Sequence, residues 1–194
     1  MNRIRRSLLL CTAGLALTAC APSLAPSAAE RGISAVSPTS PTTVLVVRHA
    51  EKVVTDDADP PLSAEGAARA DALVRVAEAA GVSVIYTTQL QRTRDTARPL
   101  AARLNVPITE LPIEMGEAAT YPERLAAEIL GRHRGESVLV VGHSNTVPGI
   151  VEALGRIPVP PITEAEYDHL FVVVIPASGA PRVVGARYGQ PGDY

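Results

Sequence analysis

Three runs of six residues are apolar almost without a break: 43–48 (Thr-Val-Leu-Val-Val-Arg), 82–87 and 137–142. Unbroken β-branched runs of that length suit strands buried on both faces, as in a parallel sheet. Two later runs, 171–175 and 182–187, predict further strands. The stretches between them have helical spacing. Residues 63–80 predict a helix that Ser63 caps, with Ala67, Ala70, Val74 and Ala77 on one side and Gly81 as the stop. Residues 89–104 predict a second helix, interrupted or bent at Pro99. A third is predicted over 121–134, ended by Gly135, and a fourth over 145–155, with Pro148 tolerated in its first turn. Segments 57–62 and 107–121 read as loops. This alternation predicts an α/β fold, a three-layer α/β/α sandwich around a mostly parallel sheet. Ligands of such folds bind beyond the carboxyl ends of the strands.

The first forty residues break this pattern. Arg3, Arg5 and Arg6 precede an apolar run over 8–17 and then Leu17-Thr18-Ala19-Cys20. A basic end, a short apolar stretch and small residues before a cut site describe an export signal over 1–19. The apolar run is too short to cross a hydrocarbon core of roughly 30 Å. The Leu-Thr-Ala-Cys ending resembles the lipobox of bacterial lipoproteins, which implies cleavage before Cys20 and lipidation of Cys20. Several acyl chains, at about 0.8 kcal/mol per buried CH₂, would anchor the chain to a membrane. Ala21 is not Asp, so the sorting rule of Gram-negative lipoproteins implies an outer-membrane destination facing the periplasm. The segment 21–41 holds Pro22, Pro26, Pro38 and Pro41 among Ser, Ala and Thr, and reads as a tether between the lipidated end and the domain at 43–194.

Composition narrows the function. The chain has 194 residues, of which 46% are hydrophobic and only 3% aromatic, and a net charge of −2. The core must therefore be aliphatic. A stacking platform or a basic face for nucleic acid is not expected. Two cysteines are too few for a thiolate metal site or a disulfide framework. No Gly-rich loop of the two common nucleotide-binding forms occurs.

Two of the four histidines stand out by placement. The 43–48 run ends in Arg48-His49, and the 137–142 run ends in Gly142-His143. Both side chains are expected at the carboxyl ends of buried strands, where the ligand crevice should lie. His133, between Arg132 and Arg134, complements a helix terminus. His169, after Asp168, reads as structural.

Four ordered segments carry a resemblance. Arg48-His49-Ala50-Glu51 looks like the Arg-His-Gly signature of the histidine phosphatase superfamily, which includes the cofactor-dependent phosphoglycerate mutases. Pro61-Leu62-Ser63-Ala64-Glu65-Gly66 is similar to that family's Pro-Leu-Thr-x-x-Gly helix start. Tyr86-Thr87-Thr88-Gln89-Leu90-Gln91-Arg92, followed by Thr96-Ala97, resembles its Tyr-Ser-Ser-Pro-Leu-x-Arg-x-x-x-Thr-Ala segment. Gly142-His143-Ser144-Asn145 resembles its second histidine block. The resemblance implies a phosphoglycerate mutase-like fold and a small phosphorylated substrate. It implies His49 as the nucleophile that forms a phosphohistidine, and Arg48, Arg92 and His143 as the groups holding phosphate oxygens. It implies no metal and no cofactor. The chemistry suits the residue types: Arg gives permanent, bidentate donors, and two of them beside His49 lower its pKa. His143, against a bound dianion, is expected to be protonated. Helical periodicity alone does not choose between Arg92 and Arg94.

Ala50 replaces the usual Gly after the histidine, and Gln89 stands where Pro is common. The general acid of larger members lies on a Glu after the second helix. Here Ile113-Glu114-Met115-Gly116-Glu117 approximates that stretch, with Glu114 the first choice and Glu117 the second. Two other functions are open to the sequence. One is a non-catalytic phosphate-binding envelope lipoprotein. The other is a serine esterase, because Gly142-His143-Ser144-Asn145-Thr146 is one residue from a Gly-x-Ser-x-Gly elbow. An esterase needs an Asp and then a His downstream of Ser144, but Asp168 and His169 are adjacent and no later His follows. A mutase is not expected, because the chain has little length for the insertions that shield a phosphoenzyme.

Overall fold

The computed structural model describes residues 40–190. The export signal at 1–19, the lipidation site Cys20 and nearly all of the tether lie outside the described residues. The described elements run β1 (Thr42–Arg48), α1 (Ala64–Ala79), β2 (Val84–Thr87), α2 (Gln91–Leu104), β3 (Ile108–Glu110), α3 (Tyr121–Arg132), β4 (Ser137–Gly142), α4 (Val147–Gly155), β5 (His169–Ile175) and β6 (Arg182–Arg187).

The strands form one sheet in the order β3-β2-β4-β1-β5-β6. β1, β4, β2 and β3 pair in parallel, while β5 and β6 add antiparallel on the other side of β1. Successive side chains of a strand point to opposite faces, and β1 uses both. Val44 and Val46 pack with Leu125 and Ile129 of α3 and Ile150 and Leu154 of α4. Leu45 and Val47 pack with Leu73 and Ala77 of α1 and Leu100 of α2. This is the expected three-layer α/β/α sandwich with a mostly parallel sheet. At roughly 25 cal/mol per Å² of apolar area removed from water, the two aliphatic interfaces are the main favourable term in holding the layers together.

Four local expectations need correction. The buried side of α1 is Gly66, Arg69, Ala70, Leu73 and Ala77, so Ala67 faces solvent and Val74 lies at the margin. The apolar stripe was displaced by one residue because a buried arginine does not register as apolar. α2 continues through Pro99 without interruption. α3 stops at Arg132, where His133 closes the last turn by donating its N–H to the Ile129 carbonyl at 2.8 Å. Gly135, at φ +79°, belongs instead to the turn into β4, and its N–H donates to Thr42 Oγ1 at 2.9 Å. β3 lies inside the predicted 107–121 loop. Three residues are too few to show a period, and they form a strand only because β2 offers a partner.

Candidate active site

The register of the two central strands sets the site. Arg48 pairs with Gly142, and the His49 N–H donates to the Gly142 carbonyl at 2.9 Å. The next residue of each strand is a histidine. Their rings stand 5.4 Å apart between centroids, inclined at 64°. Both line one cavity of about 380 Å³, together with Arg92, Lys52, Gln89, Ser144, Asn145 and Glu164.

The tautomer of His49 follows from its neighbour. Nδ1 lies 2.8 Å from the carbonyl oxygen of Ala50. A carbonyl only accepts, so Nδ1 carries the hydrogen and Nε2 keeps its lone pair. Burial is the largest cause pulling the His49 pKa down from 6.5 to about 3, and His143, Arg48 and Arg92 pull the same way against the Ala50 bond. Burial, then Arg92 and Arg48, pull His143 down to about 4, with Glu164 and Asp59 opposing. Both rings are therefore neutral at pH 7 in the free site. The expected protonation of His143 concerns the phosphate-bound form. Its Nε2 is 3.0 Å from Thr88 Oγ1, which in turn lies 3.1 Å from Thr93 Oγ1 at the start of α2.

Arg92 comes to the cavity from the first turn of α2. Its Nη1 is 3.5 Å from Asp59 Oδ1, and its Nε has no partner. Both Asp59 oxygens accept from the Gln91 N–H at 2.9 Å, so this loop carboxylate caps α2 and steadies Arg92 together. Arg94 points elsewhere and pairs with Glu110 of β3 at 3.4 Å. α2 is also tied to the loop that follows His49. Thr96 Oγ1 accepts from the Ala50 N–H at 2.9 Å and donates to the Arg92 carbonyl at 2.8 Å.

Arg48 lies under the site with 1% of its surface exposed. Its guanidinium clamps the segment before β5. Nη1 donates to the carbonyls of Thr163 (2.8 Å) and Glu166 (3.1 Å), and Nη2 donates to Glu164 Oε2 (2.7 Å). The Tyr167 ring covers it at 4.0 Å. Its Nε has no partner.

Glu51 and Arg69 hold the loop that follows His49 against α1. The Arg69 guanidinium grips the Glu51 carboxylate with three contacts of 2.6–2.9 Å and donates to the Tyr188 carbonyl at 2.9 Å. A Cβ on Gly66 would stand 2.0 Å from the Glu51 carbonyl oxygen, so that close approach requires glycine.

Glu114 and Glu117 are exposed on the loop before α3, and Glu117 sits 3.8 Å from Arg124. The cavity is lined by their neighbours Ile113 and Ala118, not by either carboxylate. Ser144 donates its hydroxyl to Glu164, and His169 pairs with Glu166 at 3.1 Å, so no Ser–His pair forms. Glu164, Tyr167 and Asp59 were not singled out by sequence. Glu164 and Glu166 flank one alanine in an aperiodic stretch, and nothing local distinguishes them. Among the described residues, no group of three or more His, Cys, Asp or Glu stands where it could hold a metal ion.

The family model described as Histidine phosphatase superfamily (branch 1) matches residues 44–119, the stretch that carries His49 and Arg92. This segment belongs to the histidine phosphatase superfamily. An 8-oxo-(d)GTP phosphatase of Mycolicibacterium smegmatis is 31% identical over 166 residues, covering 80% of this chain and 50% of that protein. The chain thus spans about half the length of that curated relative. Two solved structures of similar fold are Bacillus stearothermophilus YhfR (TM-score 0.58, 20% identity, 73% of this chain and 95% of that one) and the protein histidine phosphatase SixA complexed with tungstate (TM-score 0.58, 20% identity, 75% and 96%).

Proposed function

We propose that the protein is a phosphatase that works through a phosphohistidine on His49, without a metal or cofactor. The observation that carries this reading is the lone pair left on His49 Nε2, beside Arg92 and His143 in one cavity. A neutral imidazole surrounded by cationic and neutral donors meets both needs of phosphoryl transfer, a nucleophile and fixed charge for three phosphate oxygens. Nε2 forms a bond to phosphorus as the bond to the leaving group breaks. Water then attacks the phosphohistidine, releasing phosphate and restoring the ring. Phosphatase-named relatives support the activity.

The substrate is a small phosphorylated molecule in this reading. A larger cavity of about 880 Å³ adjoins the first through Lys52, which lines both, and is walled by Val53, Ala68, Ala72 and Tyr167. That volume suits a compact organic body. The lipobox-like ending at Cys20 adds an anchor in the cell envelope.

The test is release of phosphate from p-nitrophenyl phosphate in the presence of EDTA, with trapping of labelled phosphoenzyme. Wild type should turn over and carry label. His49→Ala should do neither, and equal rates would overturn the reading.

A further inference from the structure

We propose that Glu164 is the acid that protonates the leaving group, an inference that rests on the phosphatase reading above. Among the described residues lining the 380 Å³ cavity, Glu164 is the one that bears a carboxyl group. It also stands at a partition. Its chain neighbour Ala165 and nearby Tyr167 line the 880 Å³ cavity, while Glu164 itself lines the cavity of His49 and His143. A substrate with its phosphoryl group on one side and its body on the other places the scissile oxygen beside this side chain.

The contacts of Glu164 describe a held state. Oε2 accepts from Arg48 Nη2 at 2.7 Å, and Oε1 accepts from the Ser144 hydroxyl. The side chain is 79% exposed, so it reaches solvent for a proton and has room to swing. The titratable groups around it are the cationic Arg48 of β1, Lys52 of the loop after β1 and Arg92 of α2, and the neutral His143 after β4. Glu166 shares its segment but turns its carboxylate to the Thr163 N–H and His169. In the free site, the Ser144 bond first and Arg48 next hold the carboxyl below the usual range. A phosphate dianion seated against Arg92 and His143 in this cavity brings two negative charges beside the Glu164 carboxyl group. Glu164 then gains a dianion as neighbour, which favours its protonated form. The event that seats the substrate therefore loads the acid.

The step balances. The Nε2–P bond forms, the P–O bond to the leaving group breaks, and the leaving oxygen takes the Glu164 proton. In the second half, the Glu164 carboxylate accepts a proton from the water that attacks the phosphohistidine. Glu164 thus ends protonated, as it began the reaction, and returns to its ionised pairing with Arg48 in the free site by releasing that proton to solvent.

The experiment compares p-nitrophenyl, phenyl and alkyl phosphates with wild type, Glu164→Gln, Glu164→Asp and Glu114→Gln. A poor leaving group needs the proton most, so the alkyl-to-nitrophenyl ratio of kcat should fall by about 10²–10³-fold in Glu164→Gln. Glu164→Asp, which keeps a carboxyl group, should recover part of the ratio. The basic limb of the kcat profile with the alkyl ester should disappear in Glu164→Gln. A ratio in Glu164→Gln equal to wild type, or a fall confined to Glu114→Gln, overturns the assignment. Absence of wild-type turnover on every ester overturns the phosphatase reading instead. If Glu164→Gln does not fold, Glu164→Asp decides: a ratio below wild type supports the assignment, and an unchanged ratio overturns it.

Discussion

The imidazoles of His49 and His143 meet edge to face, 5.4 Å apart, at the ends of two adjacent parallel strands. Neither ring is held by a carboxylate: one is oriented by the Ala50 carbonyl and the other by the Thr88 hydroxyl. Buried among arginines, both resist taking a proton.

That resistance makes stability depend on pH. Each ring binds a proton near pH 6.5 when the chain is unfolded, and only near 3 or 4 when folded. Between those limits the unfolded state holds more protons, so stability rises with pH and is lost as pH falls from 6.5 toward 4. The slope approaches about 1.4 kcal/mol per pH unit for each ring. Urea denaturation of wild type at pH 7 and pH 5 should show the loss. His143→Gln should have a shallower slope, and parallel curves would contradict the account.

The same shifts bear on catalysis. With the second ionisation of the substrate divided out, the acid limb of kcat/KM should fall well below pH 6, because His49 stays unprotonated there. A limb centred near 6.5 that His49 causes would show that burial does not govern the ring.

Arg92→Ala removes a charged donor from the cavity. A loss of about 1.5–3 kcal/mol of transition-state binding corresponds to a fall of about 10–150-fold in kcat/KM. Arg94→Ala, which breaks only a surface pair with Glu110, should change kcat/KM by less than about 2-fold. Steady-state kinetics on one ester separates the two, and equal losses would contradict the placement.

Gly66→Ala drives a methyl group into the Glu51 carbonyl. Relieving that contact means moving the start of α1 or the loop that carries His49. The expected cost is at least about 1–3 kcal/mol, read as a lower urea midpoint, with a drop in kcat. An unchanged midpoint would mean that the loop yields freely.

The layers of the fold were legible because the strands are so apolar. Val44 through Val47 announce burial on both faces, and the two strand-end histidines fall where parallel sheets collect ligands. Arg92 and Arg94 could not be separated by spacing, because two residues on one helical turn need the opposing loop to say which is pointed inward. Asp59 supplies that information by meeting Arg92 and capping Gln91, 32 residues further along the sequence. Glu164 was hidden for a related reason. Its meaning comes from Arg48, 116 positions earlier, and no local pattern encodes so distant a pairing. Arg69 was hidden by its charge, since a paired buried guanidinium looks like a surface residue until its carboxylate partner is seen.

Cys20→Ser addresses the anchor at the other end of the chain. The variant should move from the membrane pellet to the soluble fraction after cell disruption, and unchanged fractionation would count against lipidation.

The proton on the His49 ring is fixed by a peptide oxygen one residue away. Enzymes that orient a histidine through an aspartate can be silenced by mutating that aspartate. Here no side-chain replacement deletes the acceptor, because every amino acid at position 50 brings the same oxygen. What limits position 50 is the packing around a fully buried side chain, and His49 keeps its tautomer whichever residue fits there.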